Sequence, residues 1–354
     1  MESSAATRPL GAPLGGGTLP NWAPWGVFGA SAVVSAGILA AAGSFTVAMT
    51  LVLTVIVSGA ALYLWSRAVE DARQAKNRLM THSVISAFGL AVLPLFSLLY
   101  EVIHRGIHRF DSAFFTESGR NVIGAGGGAS HAIVGTLVIT GVATLISVPI
   151  GLMAAIYLTE YGGTSRLKRA LTFFVDVMTG IPSIVAGLFA FALFAIFFGP
   201  GIRLGVMGSV ALSVLMIPIV IRSAEEILKI VPNHLREASY ALGTPKWKTI
   251  VKIVLPTALA GLVTGVMLAV ARIIGETAPL LVTTGVVDSM NANPFNGRMQ
   301  NLAVYAFGEY RTPGIDKEAA FDRAWAAALT LIAIVMILNL VARLVYRRFG
   351  TEIR

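Results

Sequence analysis

The sequence predicts an all-α, polytopic membrane protein with about eight transmembrane helices. Hydrophobic residues make up 56% of the 354 residues, charged residues only 13%, and the mean hydropathy is strongly positive. Soluble domains rarely have such a composition. Glycine and alanine are also abundant, which suits close helix packing in lipid, where the hydrophobic effect does not drive helices together. Composition therefore favours a helical membrane bundle.

Composition and motifs also exclude several function classes. The chain has no cysteine, so disulfides, thiol catalysis and cysteine metal sites are excluded. A net charge of +9 would suit nucleic-acid binding, but the basic residues lie in short clusters beside apolar spans. No catalytic motif is present. We predict a lipid bilayer as the surroundings, with no nucleic-acid partner, catalytic residue or metal site.

Three segments precede the main body of the chain. Residues 1–24 are rich in Gly, Pro, Ala and Ser, and we predict a disordered cytoplasmic tail. Residues 25–66 are apolar but too long for one span, so a hairpin of two helices is predicted, broken at Gly43. Residues 67–78 form a polar, mostly basic linker, which we place in the cytoplasm.

The remaining chain, residues 79–350, is predicted to be a core of six membrane-spanning helices. The apolar stretches suggest spans at about 79–100, 132–158, 170–198, 206–221, 253–277 and 324–346. The basic loop 223–252 joins two of these spans. Lys and Arg concentrate on the side that carries this loop and both termini, so we predict that loop and termini are cytoplasmic.

The stretch from Glu237 to Pro256 is the most distinctive part of this loop. Its local signals predict two short helices with a tight corner. Asn233 can cap the first helix, Gly243 can adopt the left-handed conformation after its end, and Thr244-Pro245 can start the second. Four residues follow helical spacing and are predicted to form one docking face for another protein: Leu235, Ala238, Ser239 and Leu242.

This stretch resembles the loop motif of permease subunits in binding-protein-dependent ABC importers. The motif is Glu-Ala-Ala, three residues, Gly, nine residues, Ile, one residue, Leu-Pro, and this sequence differs from it only at Ser239. Three further stretches are similar to the A-type permease subunits of phosphate-specific import systems, and the similarity extends over residues 79–349. They are Tyr157–Gly162, Ile181–Leu188 and the Ala-Arg-x-x-Gly-Glu-Thr-Ala-Pro run at Ala271–Pro279.

The resemblance implies a division of labour in a bacterial cytoplasmic membrane. An extracytoplasmic binding protein delivers inorganic phosphate, this chain and a homologous phosphate permease of the C type form the path, and an ATPase dimer drives transport. The sequence contains no Gly-x-x-x-x-Gly-Lys-Ser/Thr phosphate loop, so we predict that it is not an enzyme. No cofactor is expected in this chain, because ATP-Mg would be bound by the partner ATPase.

Two groups of ionisable residues are predicted to line the substrate path. Arg272 falls within a predicted span, where a charge costs about 2.5–3.5 kcal/mol, so it needs either a partner or a function. It can pair with Glu276 at i+4, or its guanidinium can contact phosphate, with Thr277 adjoining. Arg222 ends another span and can snorkel to the interface or meet substrate, with Asp176 as its predicted partner.

Other charged residues of the loop have simpler interpretations. Glu225 and Glu226 are predicted to be solvated or capping charges. Glu237 is either a surface carboxylate in the first turn of a helix or part of the contact with the ATPase. Gly243 is predicted to be needed for the shape of the corner.

Two alternative functions remain open at the level of the sequence. The same architecture could import another oxyanion, such as sulfate or molybdate. A passive anion channel is the alternative from another class, and it would need neither an ATPase nor the loop from Leu235 to Trp247.

Overall fold

A computed structural model describes residues 17–349, with side chains described up to residue 344. All regular elements within these residues are helices, and seven of them are long and apolar enough to cross a membrane. One further pair of bent helices meets the same criterion when taken together. The described residues form two compact units, with the boundary between Leu99 and Tyr100. Residues 1–16 of the predicted tail lie outside the described residues.

The first unit contains helices α1 (Ala23–Ala41) and α2 (Val47–Val69) and the first part of α3 (Ala72–Gly106). Helices α1 and α2 pack against each other. The turn between them contains Gly43 at a φ of +66°, which confirms the predicted break. Most of the predicted linker is helical, because α3 begins at Ala72.

Glu70 joins the end of α2 to the start of α3. Its carboxylate accepts hydrogen bonds from the Leu19 backbone N–H at 2.7 Å and from the Ser66 hydroxyl at 2.6 Å. The Arg78 guanidinium donates two more, each at 2.7 Å. Such a bidentate pair is among the stronger hydrogen-bond arrangements in proteins. The network therefore fixes the connection between α2 and α3.

Acidification is expected to weaken this connection between α2 and α3. The Arg78 guanidinium, with the Ser66 hydroxyl and the Leu19 N–H, lowers the pKa of Glu70 from 4.5 to about 2. Because the folded-state pKa is depressed, the contribution to stability is present above pH 4.5 and is lost as the pH falls toward 2. In thermal unfolding of the purified complex, Glu70→Gln should lower stability at neutral pH and reduce the loss on acidification. An unchanged pH profile would contradict this role.

The second unit follows with eleven helices within the described residues. They are α4 (Ser112–Thr116), α5 (Ser130–Ile156), α6 (Arg166–Thr179), α7 (Ser183–Phe198), α8 (Gly205–Ile230), α9 (Asn233–Ala241), α10 (Lys246–Thr249), α11 (Leu255–Ile274), α12 (Ala278–Thr283), α13 (Leu302–Arg311) and α14 (Lys317–Phe349). A 3₁₀ turn at Ile107–Arg109 follows α3. π-helical turns extend α5 over Tyr157–Tyr161 and join α10 to α11 over Ile250–Val254.

Helix α8 lies at the centre of the second unit and packs against α5, α6, α7, α11 and α12. Buried Ile139 of α5 belongs to the same apolar cluster as Leu212 and Met216 of α8. Helix α11 approaches α8 very closely at Gly265, where an added Cβ would lie 2.1 Å from the Ser223 hydroxyl oxygen. Gly265 therefore packs directly against the Ser223 side chain, and small residues of this kind are common where membrane helices pack closely.

The span predicted at 170–198 is not one continuous helix. The structure divides it into α6 and α7, which are bent by 108°. Gly180 caps α6, and Pro182 precedes α7 in an extended conformation. Proline lacks the N–H that a continuous helix needs, and it disfavours helical geometry in the residue before it. The high apolar content of residues 170–198 predicted one helix and gave no indication of this break.

Other predicted spans differ at their ends from the helices that contain them. The span predicted at 206–221 continues as α8 to Ile230, because Glu225 forms ion pairs with charged neighbours on the same helix. The span predicted at 253–277 belongs to a longer helical stretch from Lys246 that ends at Ile274, before Gly275.

Candidate functional site

Helices α9 and α10 form the corner predicted within the loop 223–252. Gly243 has a φ of +72°, which confirms its predicted left-handed conformation. The Thr244 N–H donates to the Ser239 carbonyl at 3.2 Å, which closes the turn. The Ser239 hydroxyl also forms a buried hydrogen bond of 2.8 Å with Thr249 of α10. Both backbone and side chains therefore hold the corner.

The predicted cap at Asn233 is wrong. Pro232 occupies the capping position without a side-chain hydrogen bond, and Asn233 is the first residue of α9. The Asn233 side-chain oxygen instead accepts a hydrogen bond of 3.3 Å from Arg236. The asparagine therefore satisfies a guanidinium N–H rather than the backbone at the start of the helix.

The predicted docking face of α9 is divided in the structure. Ser239 is buried against Thr249, and half-buried Leu235 packs against the cluster around Leu228. Ala238 is exposed, and Leu242 is 86% exposed. A single outward face of all four residues is therefore wrong, because two of them pack inside the chain.

The exposed surface of this corner has a different composition. Glu237, Ala238 and Leu242 are exposed on α9 and at its end, and Trp247 of α10 is 61% exposed. We call these four residues the coupling surface, after the contact with an ATPase that the sequence predicts for this loop. It combines one carboxylate with apolar side chains that the described residues leave uncovered.

Arg236 of α9 connects the corner to two other helices. Its guanidinium forms an ion pair of 2.7 Å with Glu160, in the π-helical turn that extends α5. It also donates to the Leu228 carbonyl at 3.0 Å and to the Val231 carbonyl at 2.6 Å. Both charged side chains are largely buried, with exposures of 14% for Arg236 and 6% for Glu160. We call this pair the arginine clamp.

The sequence analysis did not identify the arginine clamp. Glu160 lies directly after an apolar span and Arg236 lies in a basic loop on the same predicted side. Opposite charges at such positions are a signal, but their separation of 76 residues leaves the pairing undetermined. Only the three-dimensional arrangement of α5 and α9 shows that these two residues pair.

Arg222 lies inside α8 and belongs to a compact charge cluster. Its guanidinium pairs with Asp176 of α6, which confirms the predicted partner. It also donates to Glu225 at 2.9 Å, and Glu225 accepts a further hydrogen bond of 2.7 Å from Lys229. The prediction that Glu225 is solvated is wrong, because it is buried between two cations.

Arg272 has a contrasting environment near the end of α11. The predicted i+4 pair with Glu276 is not formed, because α11 ends at Ile274 and Glu276 lies outside helical register. The Arg272 side chain is exposed and has no hydrogen bond or ion pair within the described residues. Glu276 is half-buried and Thr277 precedes α12. Arg272 is therefore a cation without an ionic partner among the described residues.

Arg222 of α8 and Arg272 of α11 lie at different levels when both are projected on the axis of α11. Gly265 contacts Ser223, the neighbour of Arg222. Arg272 follows seven residues later, a rise of about 10 Å along a helix. The structure therefore separates Arg222 and Arg272 and gives them different partners.

The comparisons with known proteins agree with this architecture. A family described as "Binding-protein-dependent transport system inner membrane component" matches residues 147–354. A chain of a bacterial alginate ABC transporter, solved in complex with an alginate pentasaccharide-bound periplasmic protein, has a TM-score of 0.56 at 12% identity. The match covers 79% of this chain and 98% of that chain. The likeness confirms the predicted fold class.

Sequence relatives give a closer similarity. The phosphate transport system permease protein PstA 1 of Mycobacterium tuberculosis (strain CDC 1551 / Oshkosh) is 46% identical over 276 residues, which cover 77% of this chain and 89% of that protein. PstA of Yersinia pestis is 37% identical over 279 residues, covering 78% and 92%. The chain therefore belongs to the family of inner membrane components of binding-protein-dependent transport systems, in which it groups with permeases of the PstA type.

Proposed function

We propose that the chain is the permease subunit of an ATP-driven importer of inorganic phosphate. The observation that carries the proposal is the exposed, unpaired guanidinium of Arg272, which lies on a helix continuous with the corner that holds the coupling surface. A guanidinium matches two oxygens of an oxyanion. The names of the PstA relatives support phosphate as that oxyanion.

Partners supply the remaining parts of the transporter. A homologous permease of the C type completes the path, an extracytoplasmic binding protein delivers phosphate, and an ATPase dimer binds ATP-Mg. Both termini and the coupling surface face the cytoplasm, an orientation that the excess of Lys and Arg supports. The ATPase docks at Glu237, Ala238, Leu242 and Trp247, which the described residues leave exposed.

Movement of the ATPase reaches the membrane helices along two routes. The first is covalent, through α10 and the π-helical turn Ile250–Val254 into α11 and Arg272. The second is the arginine clamp, which connects α9 with the end of α5. A displaced corner therefore moves α5 and α11 together. No covalent chemistry occurs in this chain.

Uptake by the whole complex in proteoliposomes tests the proposed substrate. We expect uptake of labelled phosphate to require ATP and to be blocked by excess phosphate more strongly than by sulfate or molybdate. Stronger block by molybdate would favour another oxyanion. Uptake without ATP, unaffected by removal of Leu235 to Trp247, would favour a passive channel.

Replacing Gly243 with alanine is expected to uncouple transport from ATP hydrolysis. A Cβ at this position would meet no atom within 4 Å, so the effect comes from the φ of +72°. A left-handed conformation costs a residue other than glycine about 1–2 kcal/mol, which is enough to shift the corner. The ratio of phosphate transported to ATP hydrolysed should fall severalfold.

Gly43→Ala is the matched control for this variant. Gly43 has a φ of +66° and equally open surroundings, but it lies in the turn between α1 and α2. The ratio of phosphate transported to ATP hydrolysed should remain normal in Gly43→Ala. If Gly243→Ala kept transport and hydrolysis tightly linked, the corner would not be the coupling element.

A further inference from the structure

A cavity in the first unit has a composition that changes along its length. Its volume is about 730 Å³, within the range of about 300–1,000 Å³ typical of small-molecule sites. One stripe of α3 forms its long wall, at the i, i+3, i+4 spacing of a single helix face. The stripe begins with Gln74, Asn77, Arg78, Thr81 and His82 and continues with Ile85, Gly89, Leu90, Leu93 and Phe96. One end is therefore polar and the other apolar.

Aromatic residues place the polar end at the level of lipid headgroups. Trp25 lines the cavity, and Trp22 packs edge to face with Trp65 of α2 at a ring distance of 6.4 Å. Trp65 lies shortly before Glu70, the partner of Arg78. Tryptophan is enriched at the membrane–water interface. The polar end of the cavity therefore lies where the headgroup of a lipid would lie.

Near this end four basic residues outnumber two acidic ones, Arg67, Arg73, Lys76 and Arg78 against Glu70 and Asp71, and this excess favours an anionic headgroup. The Arg78 guanidinium binds Glu70 through Nε and Nη2, and its Nη1 has no acceptor within the described residues. A guanidinium has five N–H donors, so Arg78 can donate to a phosphodiester without leaving Glu70. Arg73 and Lys76 are exposed on the same turns of α3. Basic pockets between membrane helices favour anionic phospholipids.

The apolar part of the cavity has the length of an acyl chain. From Ile85 to Phe96, α3 rises by about 17 Å, slightly more than half of a hydrocarbon core of about 30 Å. The side of α2 contributes Leu51, Val55 and Leu62. We propose that an anionic phospholipid occupies this cavity, with its phosphate beside Asn77 and Arg78 and an acyl chain along α3 toward Leu90.

A cavity-filling variant tests the proposal in the purified, assembled complex. Gly89 lines the cavity, and a Cβ there would meet no atom within 4 Å, so Gly89→Phe places a large apolar side chain at an open position of the apolar part. Gly37→Phe is the matched control, because Gly37 is a helical glycine of α1 with equally open surroundings that does not line the cavity. Binding of added dioleoylphosphatidylglycerol to the delipidated complex is measured, with dioleoylphosphatidylcholine as the comparison.

Gly89→Phe should weaken binding of phosphatidylglycerol at least tenfold, and Gly37→Phe should leave it unchanged. Phosphatidylcholine should bind the unmodified complex more weakly than phosphatidylglycerol. Equal binding by both variants, or no preference for the anionic lipid, would overturn the proposal.

A single introduced cysteine provides a second measurement, because the chain has none. Added phosphatidylglycerol should slow maleimide labelling of Gly89→Cys and leave that of Gly37→Cys unchanged. Unchanged labelling of Gly89→Cys would overturn the proposal. So would efficient cross-linking of Gly89→Cys to a helix of a partner protein, since a protein would then fill the cavity.

Discussion

Replacing Arg272 with glutamine is expected to reduce phosphate uptake by about 10- to 100-fold while the complex still assembles. A hydrogen bond to a charged group contributes about 1.5–3 kcal/mol, and 1.4 kcal/mol corresponds to a factor of ten. Assembly should be preserved because the Arg272 side chain has no ion pair or hydrogen bond within the described residues. Uptake in proteoliposomes and the amount of purified complex should be measured together.

Variants of two other arginines serve as controls for Arg272→Gln. Arg343 is exposed on α14, so Arg343→Gln should leave both uptake and assembly unchanged. Arg222→Gln should lower the amount of complex as well as uptake, because Asp176 and buried Glu225 lose a cation. Normal uptake by Arg272→Gln would remove Arg272 from the substrate path. Loss of assembly would assign it a structural role.

Replacing Arg236 with leucine is expected to destabilise the complex strongly. The variant leaves Glu160 buried without a cation and removes the donor to the Leu228 and Val231 carbonyls. Removing one partner of a buried ion pair costs about 3–5 kcal/mol. Thermal unfolding should therefore occur at a lower temperature, and the complex that remains should transport less phosphate for each ATP hydrolysed.

The double variant Glu160→Leu with Arg236→Leu should recover part of this stability, because no uncompensated charge remains. It should not recover the coupling ratio, because the connection between α9 and α5 is still lost. Glu101→Gln is the matched control. It breaks an exposed pair with Arg105, and exposed pairs contribute at most about 1 kcal/mol. A stability loss from Arg236→Leu as small as that of Glu101→Gln would contradict the clamp.

Membrane spans and the turn at Gly243 follow from the sequence because their causes are local. A run of about 20 apolar residues predicts a span, and a glycine after an amphipathic turn predicts a left-handed corner. The break before α7 has a local cause as well, Pro182. It was missed because hydropathy averages over the proline and takes no account of its missing N–H.

The ion pairs required the three-dimensional structure. Arg222 can pair with many carboxylates on the same side of the membrane, and the structure adds Glu225 to the predicted Asp176. The docking face on α9 was wrong for a similar reason. Helical spacing places Leu235, Ser239 and Leu242 on one face of α9. Contacts with Thr249 and Leu228, which lie outside that pattern, bury Ser239 and partly bury Leu235.

The contact between Gly265 and Ser223 bears on how the proposed transport cycle moves. An added Cβ at Gly265 would lie 2.1 Å from the Ser223 hydroxyl oxygen and 3.1 Å from the Ser223 Cβ, so α11 could slide past α8 here only if the Ser223 side chain moved. Packed interfaces of this kind shift between discrete arrangements rather than deforming continuously. We therefore expect α8 and α11 to rotate as one rigid lever that carries Arg222 and Arg272 together, with the hinge of the cycle elsewhere in the transporter.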